Sequence, residues 1–298
     1  ILKINSVGEI DWQKTYGGTQ NDYANDIILS SNGGYVVAGG TKSSDGDITD
    51  FKGDDDIWIL KLNKYGDLEW QKTYGGSLEE QAFSIINTTD GGYAVAGITK
   101  SNDGDINENK GFWDYLILKL NKDGEIEWQR TYGGSKPDLA YSISATSDGG
   151  YAVAGFTHSN DGDITEYNAM TDYWILKLNG TGDIEWQSTY GGNGVDDAHC
   201  IIATSDGGYA VTGRTESKNG DVTDNNGLLD YWVLKINNAG DIEWQKTYGG
   251  SRYDLANAIT STPDGGYCVA GRTQSNDGDV TSNNGQYDIW IIKLRGNK

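Results

Sequence analysis

The sequence EWQKTYGG at residues 69–76 returns unchanged at residues 243–250. Copies with one substitution each begin at residues 11, 127 and 185. Self-similarity at a fixed period is the signature of a repeat architecture, so the chain is built from five tandem copies of one structural unit. The tryptophans of the five copies are each 58 residues apart: Trp12, Trp70, Trp128, Trp186 and Trp244.

Each repeat has the pattern of four β-strands. In the second repeat we predict strands over residues 80–88, 93–101, 115–121 and 126–132. Two of the connections carry Asp-Gly pairs, which tolerate the positive φ of tight hairpin turns. No segment holds the 3.6-residue period of a helix, and glycine, β-branched and aromatic residues dominate. The repeat therefore predicts a four-stranded antiparallel sheet.

Radial repetition of such sheets gives a β-propeller, in which each sheet is a blade. We therefore predict an all-β, five-bladed β-propeller with four antiparallel strands per blade, formed by residues 1–298 as a single domain. A β-solenoid is the alternative, but its coils are shorter than these repeats.

The last repeat ends before its fourth strand, and this predicts how the ring closes. We expect residues 10–16 to supply that strand, so that the N-terminal segment completes the last blade. Residues 1–5 and 291–295 occupy the same repeat position. We expect the C-terminal copy to fill the slot, because it brings Trp290 into register with the tryptophans of other repeats: Trp58, Trp174 and Trp232.

Composition excludes several classes of partner. The chain has 23 Lys and Arg against 44 Asp and Glu, a net charge of −21. Such a surface repels nucleic acid and anionic membranes, which bind clustered basic side chains. Apolar runs end after about seven residues, far short of the ~20 that a membrane helix needs. We therefore expect no nucleic-acid partner and no membrane insertion, and we expect a monomer.

The repeated motifs also resemble a known group. The combination W-Q-K-T-Y-G-G, D-G-G-Y-x-V-A-G and S-N-D-G-D-I-T…D-Y-W-I-L-K-L-N is similar to the tandem repeats of secreted or surface-anchored bacterial and archaeal proteins. The resemblance covers the whole chain. It implies a propeller and an extracellular or cell-surface location, and it transfers no catalytic residue.

Binding is expected on one face of the sheets. The long connection between the second and third strands and the YGG connection between repeats leave the same end of the strands, whereas the other connections are tight turns. Large apolar side chains on these loop tips mark a contact surface, unless they fold down over the sheets. The candidate ligand-binding residues are Phe51, Phe112, Trp113, Tyr167, Met170, Leu228, Leu229, Arg252, Tyr253 and Tyr287.

Acidic residues in the long loops suggest a metal site. Closely spaced carboxylates with Gly and Asn can wrap Ca²⁺, although the spacing differs from an EF-hand and Asp-Gly is also an ordinary solvated turn. Apart from Ca²⁺, we expect no cofactor. The candidate metal ligands are Asp45, Asp47, Asp103, Asp105, Asp161, Asp163, Asp221, Asp277 and Asp279.

A second acidic set opens the first strand of each repeat. We expect these carboxylates to ring the mouth of the central channel, and the alternative is that they accept backbone hydrogen bonds that tie neighbouring blades. The set consists of Asp22, Glu80, Asp138, Asp196 and Asp254.

These patterns favour a non-enzymatic extracellular binding or scaffold module with a protein or glycan ligand on its loop-rich face. One alternative is a multivalent carbohydrate-binding lectin with up to five equivalent sites, and another is a glycan-active enzyme with a central acidic site. We predict that the chain is not an enzyme, because most titratable groups recur in equivalent environments, whereas acid–base chemistry needs separated pKa values. His199 stands where other repeats carry Asn, Phe or Tyr, which we interpret as an unconstrained position.

Overall fold

The computed structural model describes residues 1–167 and 170–296. Over these residues the protein forms 21 β-strands in six antiparallel sheets. They contain no helix that is long and apolar enough to cross a membrane. The strands belong to two compact units, residues 1–132 and residues 133–298.

The first unit holds one two-stranded sheet and two four-stranded sheets. The two-stranded sheet pairs β1 (Leu2–Ile4) with β2 (Ile10–Gln13). The four-stranded sheets consist of β3 (Asp22–Leu29), β4 (Tyr35–Thr41), β5 (Asp56–Leu62) and β6 (Leu68–Tyr74), and of β7 (Glu80–Asn87), β8 (Tyr93–Thr99), β9 (Asp114–Leu120) and β10 (Ile126–Tyr132).

The second unit holds two four-stranded sheets and one three-stranded sheet. The four-stranded sheets consist of β11 (Asp138–Ala145), β12 (Tyr151–Thr157), β13 (Asp172–Leu178) and β14 (Ile184–Tyr190), and of β15 (Asp196–Ala203), β16 (Tyr209–Thr215), β17 (Asp230–Ile236) and β18 (Ile242–Tyr248). The three-stranded sheet consists of β19 (Asp254–Ser261), β20 (Tyr267–Thr273) and β21 (Asp288–Leu294).

The predicted four-stranded antiparallel repeat is confirmed, and each complete sheet runs in chain order. The residue pattern also indicates which strands of a sheet are buried and which are partly exposed. In the sheet β7–β10, every residue of Tyr93–Thr99 and of Asp114–Leu120 is buried, whereas Ile126–Tyr132 is partly exposed. The apolar second and third strands therefore form the core, and the alternating fourth strand is the half-exposed edge.

Neighbouring sheets of one unit are joined by the repeated octet. The Trp70 ring contacts the Tyr93 ring of the next sheet, with centroids 6.3 Å apart. The indole also lies against Gly124, whose φ of 77° and lack of a side chain permit the contact, because a Cβ there would collide with the ring. The Tyr74 hydroxyl donates to the Gly124 carbonyl at 2.7 Å. The aromatic residues of the octet therefore fill the seam between adjacent sheets.

The predicted closure by residues 10–16 is not confirmed by the observed strand pairing. The strand Ile10–Gln13 pairs with Leu2–Ile4, and the last sheet keeps three strands. Both copies of the duplicated segment form a strand, so neither displaces the other. The physical reason is local, because residues 5–9 close a short loop at a small entropic cost. A closed ring of five blades is not established by these sheets, and the single domain stays a prediction.

Candidate functional site

The YGG connections are held in place by recurring side-chain acceptors. In the sheet β7–β10, the four consecutive N–H groups of residues 75–78 each donate to a side chain. The acceptors, in the same order, are Asp105, Glu80, Asp103 and Ser101, at 2.7–3.1 Å. The same four bonds recur in the other four repeats. A connection without strand pairing thus satisfies its backbone donors.

The carboxylates that the sequence assigned to Ca²⁺ are among these acceptors. In the fourth repeat Asn219 stands where the others carry Asp, and its side-chain oxygen accepts the Asn193 N–H at 2.9 Å. The position therefore requires an oxygen acceptor and not a charge. No group of three or more His, Cys, Asp or Glu side chains in the described part of the chain is arranged to hold a metal ion. The residues that accept these bonds are Asp45, Asp47, Asp103, Asp105, Asp161, Asp163, Asp221, Asp277 and Asp279.

The carboxylates of the second acidic set accept backbone hydrogen bonds, which is the alternative that the sequence left open, and their place at a channel mouth stays a prediction. Glu80, Asp138, Asp196 and Asp254 are fully buried, and only Asp22 is partly exposed. The Asp138 carboxylate accepts the Gly134 N–H at 2.8 Å and the Ser159 hydroxyl at 2.9 Å. Burial raises the pKa of Asp138 above its usual value, although these hydrogen bonds oppose the shift. A buried carboxylate persists here because backbone and hydroxyl donors surround it.

A further buried carboxyl group lies at the start of the third strand. In the second unit, Asp230 accepts the Asn226 N–H at 2.7 Å through Oδ2, and its Oδ1 has no hydrogen-bond partner among the described residues. Oxygens of Asp230 and Asp254 both face the position that a side chain on Gly249 would occupy. Burial, with repulsion from Asp254 and Asp279, raises the pKa of Asp230 to about 7. In the first unit, burial is also the main cause that raises the pKa of Asp56, to about 6.

The residues that differ between repeats gather at another place, which we call the variable corner of each sheet. In the sheet β3–β6 it comprises Tyr23, Asn25, Gly40, Lys42 and Asp55, at the end of the strands where the long loop and the YGG connection emerge. The corresponding residues of the later repeats are Gln81, Phe83, Ile98, Lys100 and Trp113; Leu139, Tyr141, Phe156, His158 and Thr171; Asp197, His199, Arg214, Glu216 and Leu229; and Leu255, Asn257, Arg272, Gln274 and Tyr287.

In the first unit, one variable corner is centred on the buried carboxylate of Asp55. Its Oδ2 accepts the Tyr23 hydroxyl at 2.8 Å and the Gln81 amide at 3.2 Å, and Lys42 Nζ lies 3.7 Å away. Burial raises the pKa of Asp55, while its hydrogen bonds and Lys42 oppose the shift. Burial and the bond to Asp55 also raise the pKa of the Tyr23 hydroxyl.

The next corner of the first unit is an aromatic and cationic cluster. The rings of Phe112 and Trp113 meet edge to face with centroids 4.8 Å apart. Lys100 Nζ lies 4.9 Å from the first ring and 4.3 Å from the second, and it pairs with Glu79 at 2.6 Å. Phe112 remains 50% exposed. The cluster therefore offers an apolar ring and a fixed cation to solvent.

The second unit has a different set of partners at its corners. Arg214 Nε donates to the buried carboxylate of Asp197 at 2.7 Å. The rings of Tyr141 and His199 are stacked with centroids 5.1 Å apart. Burial lowers the pKa of His199 to about 4, so the imidazole is neutral at pH 7. The interpretation of position 199 as unconstrained is therefore wrong, because its side chain packs specifically against a neighbour.

The predicted loop-tip residues divide into two groups. Phe51 is partly buried against the core of its sheet, beside Val37 and Trp58. Trp113, Tyr167 and Leu229 are also partly buried. The residues that stay exposed are Phe112, Met170, Leu228, Arg252, Tyr253 and Tyr287.

Some of these exposed residues are brought together in the second unit. Leu229 and Tyr253 form a parallel bridge between successive repeats, and the Leu228 N–H donates to the Arg252 carbonyl at 3.3 Å. Together they form a surface with apolar, aromatic and cationic groups. Elsewhere in the unit, the Arg272 guanidinium lies 4.7 Å from the centre of the Tyr287 ring, and the Tyr167 hydroxyl donates to the Met170 carbonyl at 2.7 Å.

Comparisons with known proteins support the fold and do not supply an activity. No family model matches the chain. It is 26% identical over 189 residues to the regulatory protein FlaEY of Caulobacter vibrioides; the match covers 55% of this chain and only 20% of that protein. A protein of unknown function from Bacteroides caccae is 12% identical with a TM-score of 0.52, over 96% of this chain and 86% of that one. The WD40 β-propeller domain of Doa1 is 14% identical with a TM-score of 0.45, over 88% and 80%.

The prediction that the chain is not an enzyme is contradicted. Solved structures similar to this chain include a putative gluconolactonase and a luciferin-regenerating enzyme, with TM-scores of 0.45 and 0.44. The physical reason is that the repetition concerns the scaffold, whereas the variable corners carry groups that differ from one repeat to the next. Neither likeness assigns an activity to this protein.

Proposed function

We propose that the protein is a binding module whose ligand contacts the variable corners and the exposed loop tips beside them. One observation carries the proposal: the anchors of the YGG connections are nearly identical in every repeat, whereas the side chains at the corners differ. A constant scaffold that presents a variable surface is the usual arrangement of repeat proteins that bind a partner. An extracellular or cell-surface location, which the motif resemblance implies, is part of the same proposal.

The chemistry of the corners favours a protein or glycan ligand. Phe112 and Trp113 offer aromatic surface beside the Lys100 cation, and Leu228, Arg252 and Tyr253 repeat that combination with different groups. Aromatic and arginine side chains are enriched where proteins bind one another, and they dominate the affinity. The corners are not equivalent to one another, which argues against a lectin with five equal sites.

A second candidate is a glycan-active enzyme that uses an acidic group at a corner. The observation that favours it is Asp55, a buried carboxyl group with a raised pKa that is hydrogen-bonded to Tyr23 and Gln81. Buried carboxyl groups with raised pKa values are typical of general acids. Turnover of a glycan that is lost in Asp55→Asn would favour this candidate, and binding without turnover would favour the first.

The proposal is tested by selecting ligands and comparing their binding to a variant of one corner and to a variant of a control surface. A phage-displayed peptide library and a glycan array are probed with the wild-type protein and with Lys100→Ala/Phe112→Ala. The control is Lys64→Ala/Tyr65→Ala, which removes a second exposed pair, with Lys64 Nζ 4.9 Å from the Tyr65 ring, at the opposite end of the strands. We expect ligands that bind the control variant normally and the corner variant at least tenfold more weakly. Ligands that lose affinity only for the control variant would contradict the proposal.

A further inference from the structure

A cavity of about 440 Å³ lies in the second unit between the sheets β11–β14 and β15–β18, and we call it the seam cavity. It lies at the end of the strands that carries the tight turns, opposite to the variable corners. Its volume falls within the range of about 300–1,000 Å³ that small-molecule sites have. Its wall combines aromatic, hydroxyl and charged side chains: Asp148, Lys177, Glu185, Trp186, Thr204 and Tyr209.

The charged side chains of the seam cavity are held together by one buried lysine. Lys177, whose side chain is only 5% exposed, donates to Glu185 at 2.7 Å and pairs with Asp148 at 2.8 Å. It also donates to the Leu178 carbonyl at 3.2 Å, so its three N–H groups all have acceptors. One oxygen of Glu185 bonds Lys177, and no described residue donates to the other. That second oxygen is therefore an available acceptor for a ligand.

Two aromatic residues supply the apolar part of the wall. The rings of Trp186 and Tyr209 lie with their centroids 6.0 Å apart, and the Trp186 indole N–H donates to the Asn238 carbonyl at 2.9 Å. The indole is therefore fixed in orientation, and it offers ring surface and no polar atom to a ligand. The Tyr209 hydroxyl has no hydrogen-bond partner among the described residues, so it can donate to a ligand or accept from one.

The same arrangement recurs one repeat later in the second unit. The cavity between the sheets β15–β18 and β19–β21 is lined by the equivalent residues Asp206, Lys235, Glu243, Trp244 and Tyr267. Lys235 pairs with Glu243 at 2.7 Å and with Asp206 at 2.9 Å. The rings of Trp244 and Tyr267 also lie 6.0 Å apart. Two cavities with the same lining indicate one kind of ligand.

The first unit shows what the aspartate of this set does. Asn32 stands at the repeat position of Asp148, and there Lys61 donates across the seam to the hydroxyl of Tyr93. The tyrosine hydroxyl of that seam is therefore occupied by the lysine. In the second unit, the aspartate keeps the lysine bonded within its own sheet, which leaves the tyrosine hydroxyl open to the cavity.

We propose that the two seam cavities bind a neutral sugar ring. The carboxylates repel an anionic ligand, and the lysine in the wall reduces the attraction for a cationic one. A sugar ring combines an apolar face, which fits the indole of Trp186, with hydroxyl groups that hydrogen-bond to Glu185 and Tyr209. The cavities lie at the other end of the strands from the variable corners, so the inference goes beyond the proposed function.

Saturation-transfer NMR with a panel of free sugars tests this assignment. The panel contains glucose, galactose, mannose and N-acetylglucosamine, with glucosamine and sialic acid as charged comparisons. We expect at least one neutral sugar to bind the wild type more tightly than either charged sugar does. Tyr209→Phe/Tyr267→Phe removes two hydroxyl groups that have no partner among the described residues, so it should weaken binding about fivefold at an unchanged melting temperature.

A second variant and a matched control separate sugar binding from folding. Glu185→Gln/Glu243→Gln keeps an oxygen for each lysine but removes the charged acceptor, and it should also weaken binding about fivefold. Glu69→Gln is the control, because Glu69 has the same repeat position in the seam where the lysine occupies the tyrosine hydroxyl, and it should bind as the wild type does.

Three results would overturn the proposal. The first is a wild type that binds none of the neutral sugars. The second is a preference for glucosamine or sialic acid. The third is an equal dissociation constant in the wild type and in both folded cavity variants, which would place the bound sugar elsewhere on the protein.

Discussion

The backbone of Gly75 and the side chain of Asp105 hold each other in a reciprocal pair. The Gly75 N–H donates to Asp105 Oδ2 at 3.1 Å, and the Asp105 N–H donates to the Gly75 carbonyl at 2.9 Å. The same pair recurs in every repeat, so in each one the long acidic loop holds the YGG connection in place. The acidic loops therefore have a structural role as anchors of the backbone.

The first prediction concerns Asp103, which accepts the Ser77 N–H at 2.8 Å. Asp103→Asn should leave the free energy of unfolding within about 0.5 kcal/mol, because Asn219 performs the same task in the fourth repeat and surface substitutions that keep their contacts cost little. Asp103→Ala removes the acceptor and should cost about 1 kcal/mol. Chemical denaturation of the three proteins measures both values.

Addition of a chelator tests whether bound Ca²⁺ stabilises the folded chain. If an ion were bound only to the folded chain, its removal would lower the melting temperature. We expect no shift on addition of EDTA, in the wild type or in Asp103→Asn. A fall in the wild-type melting temperature that is smaller in Asp103→Asn would restore the Ca²⁺ hypothesis.

The second prediction is that stability rises as pH is lowered from about 7 toward about 4. The folded-state pKa values of Asp230 and Asp56 are raised to about 7 and about 6, so the folded chain binds more protons than the unfolded chain in this window. Asp230 faces the Asn226 N–H, Asp254, Asp279 and Lys218. Asp230→Asn should therefore flatten the change of melting temperature between pH 4 and 7.

Below about pH 4 we expect stability to fall as pH is lowered, and this change has a different cause. The ammonium of Lys177 holds the pKa of Asp148 down, at about 2. A lowered pKa contributes stability that is complete above the unfolded value and is lost as pH falls toward 2. Below pH 4, the melting temperature of Asp148→Asn should therefore fall less than that of the wild type. Between pH 4 and 7, the change of melting temperature with pH should be the same in both proteins. A wild-type stability that only falls from pH 7 to pH 5 would contradict the raised pKa values of Asp230 and Asp56.

The third prediction is that two loop phenylalanines, Phe51 and Phe112, contribute differently to the free energy of unfolding. Phe51 is partly buried against the core of its sheet, so Phe51→Ala should destabilise the protein by about 2 kcal/mol through lost apolar burial. Phe112 is half exposed, and Phe112→Ala should cost less than about 1 kcal/mol. Equal losses in urea unfolding would mean that Phe112 serves the core and not a contact surface.

The strands and their order could be predicted from the sequence, because Asp-Gly turns and apolar runs recur at one spacing. In the second repeat the predicted strand 126–132 is the observed Ile126–Tyr132, and the predicted strand 93–101 is observed as Tyr93–Thr99. The pairing of residues 10–13 with residues 2–4 could not be predicted, because the repeat pattern fits both partners equally. A short loop decided between them.

The candidate site was harder to predict than the sheets. The recurrence of the acidic residues predicted a metal site, whereas in the structure these residues anchor the backbone of the YGG connections. The signal that was missed is the opposite one, namely the positions where the repeats disagree, such as Tyr23, Asp197 and His199. Their partners Asp55, Arg214 and Tyr141 lie far away in the sequence, so no local pattern joins them. Comparing the repeats at each position finds these residues, although only the structure shows their contacts.

Exchanging the residues of one variable corner for those of another shows whether the corners bind the ligand. The variant Lys100→Glu/Phe112→Leu/Trp113→Leu installs the residues that occupy the equivalent positions 216, 228 and 229, so each replacement is already accepted by the scaffold. The dissociation constant of a ligand selected on the wild type is measured by calorimetry, with the melting temperature as the control for folding. We predict at least a tenfold loss of affinity at an unchanged melting temperature. An unchanged affinity in the folded variant would contradict the claim that the variable corners bind the ligand.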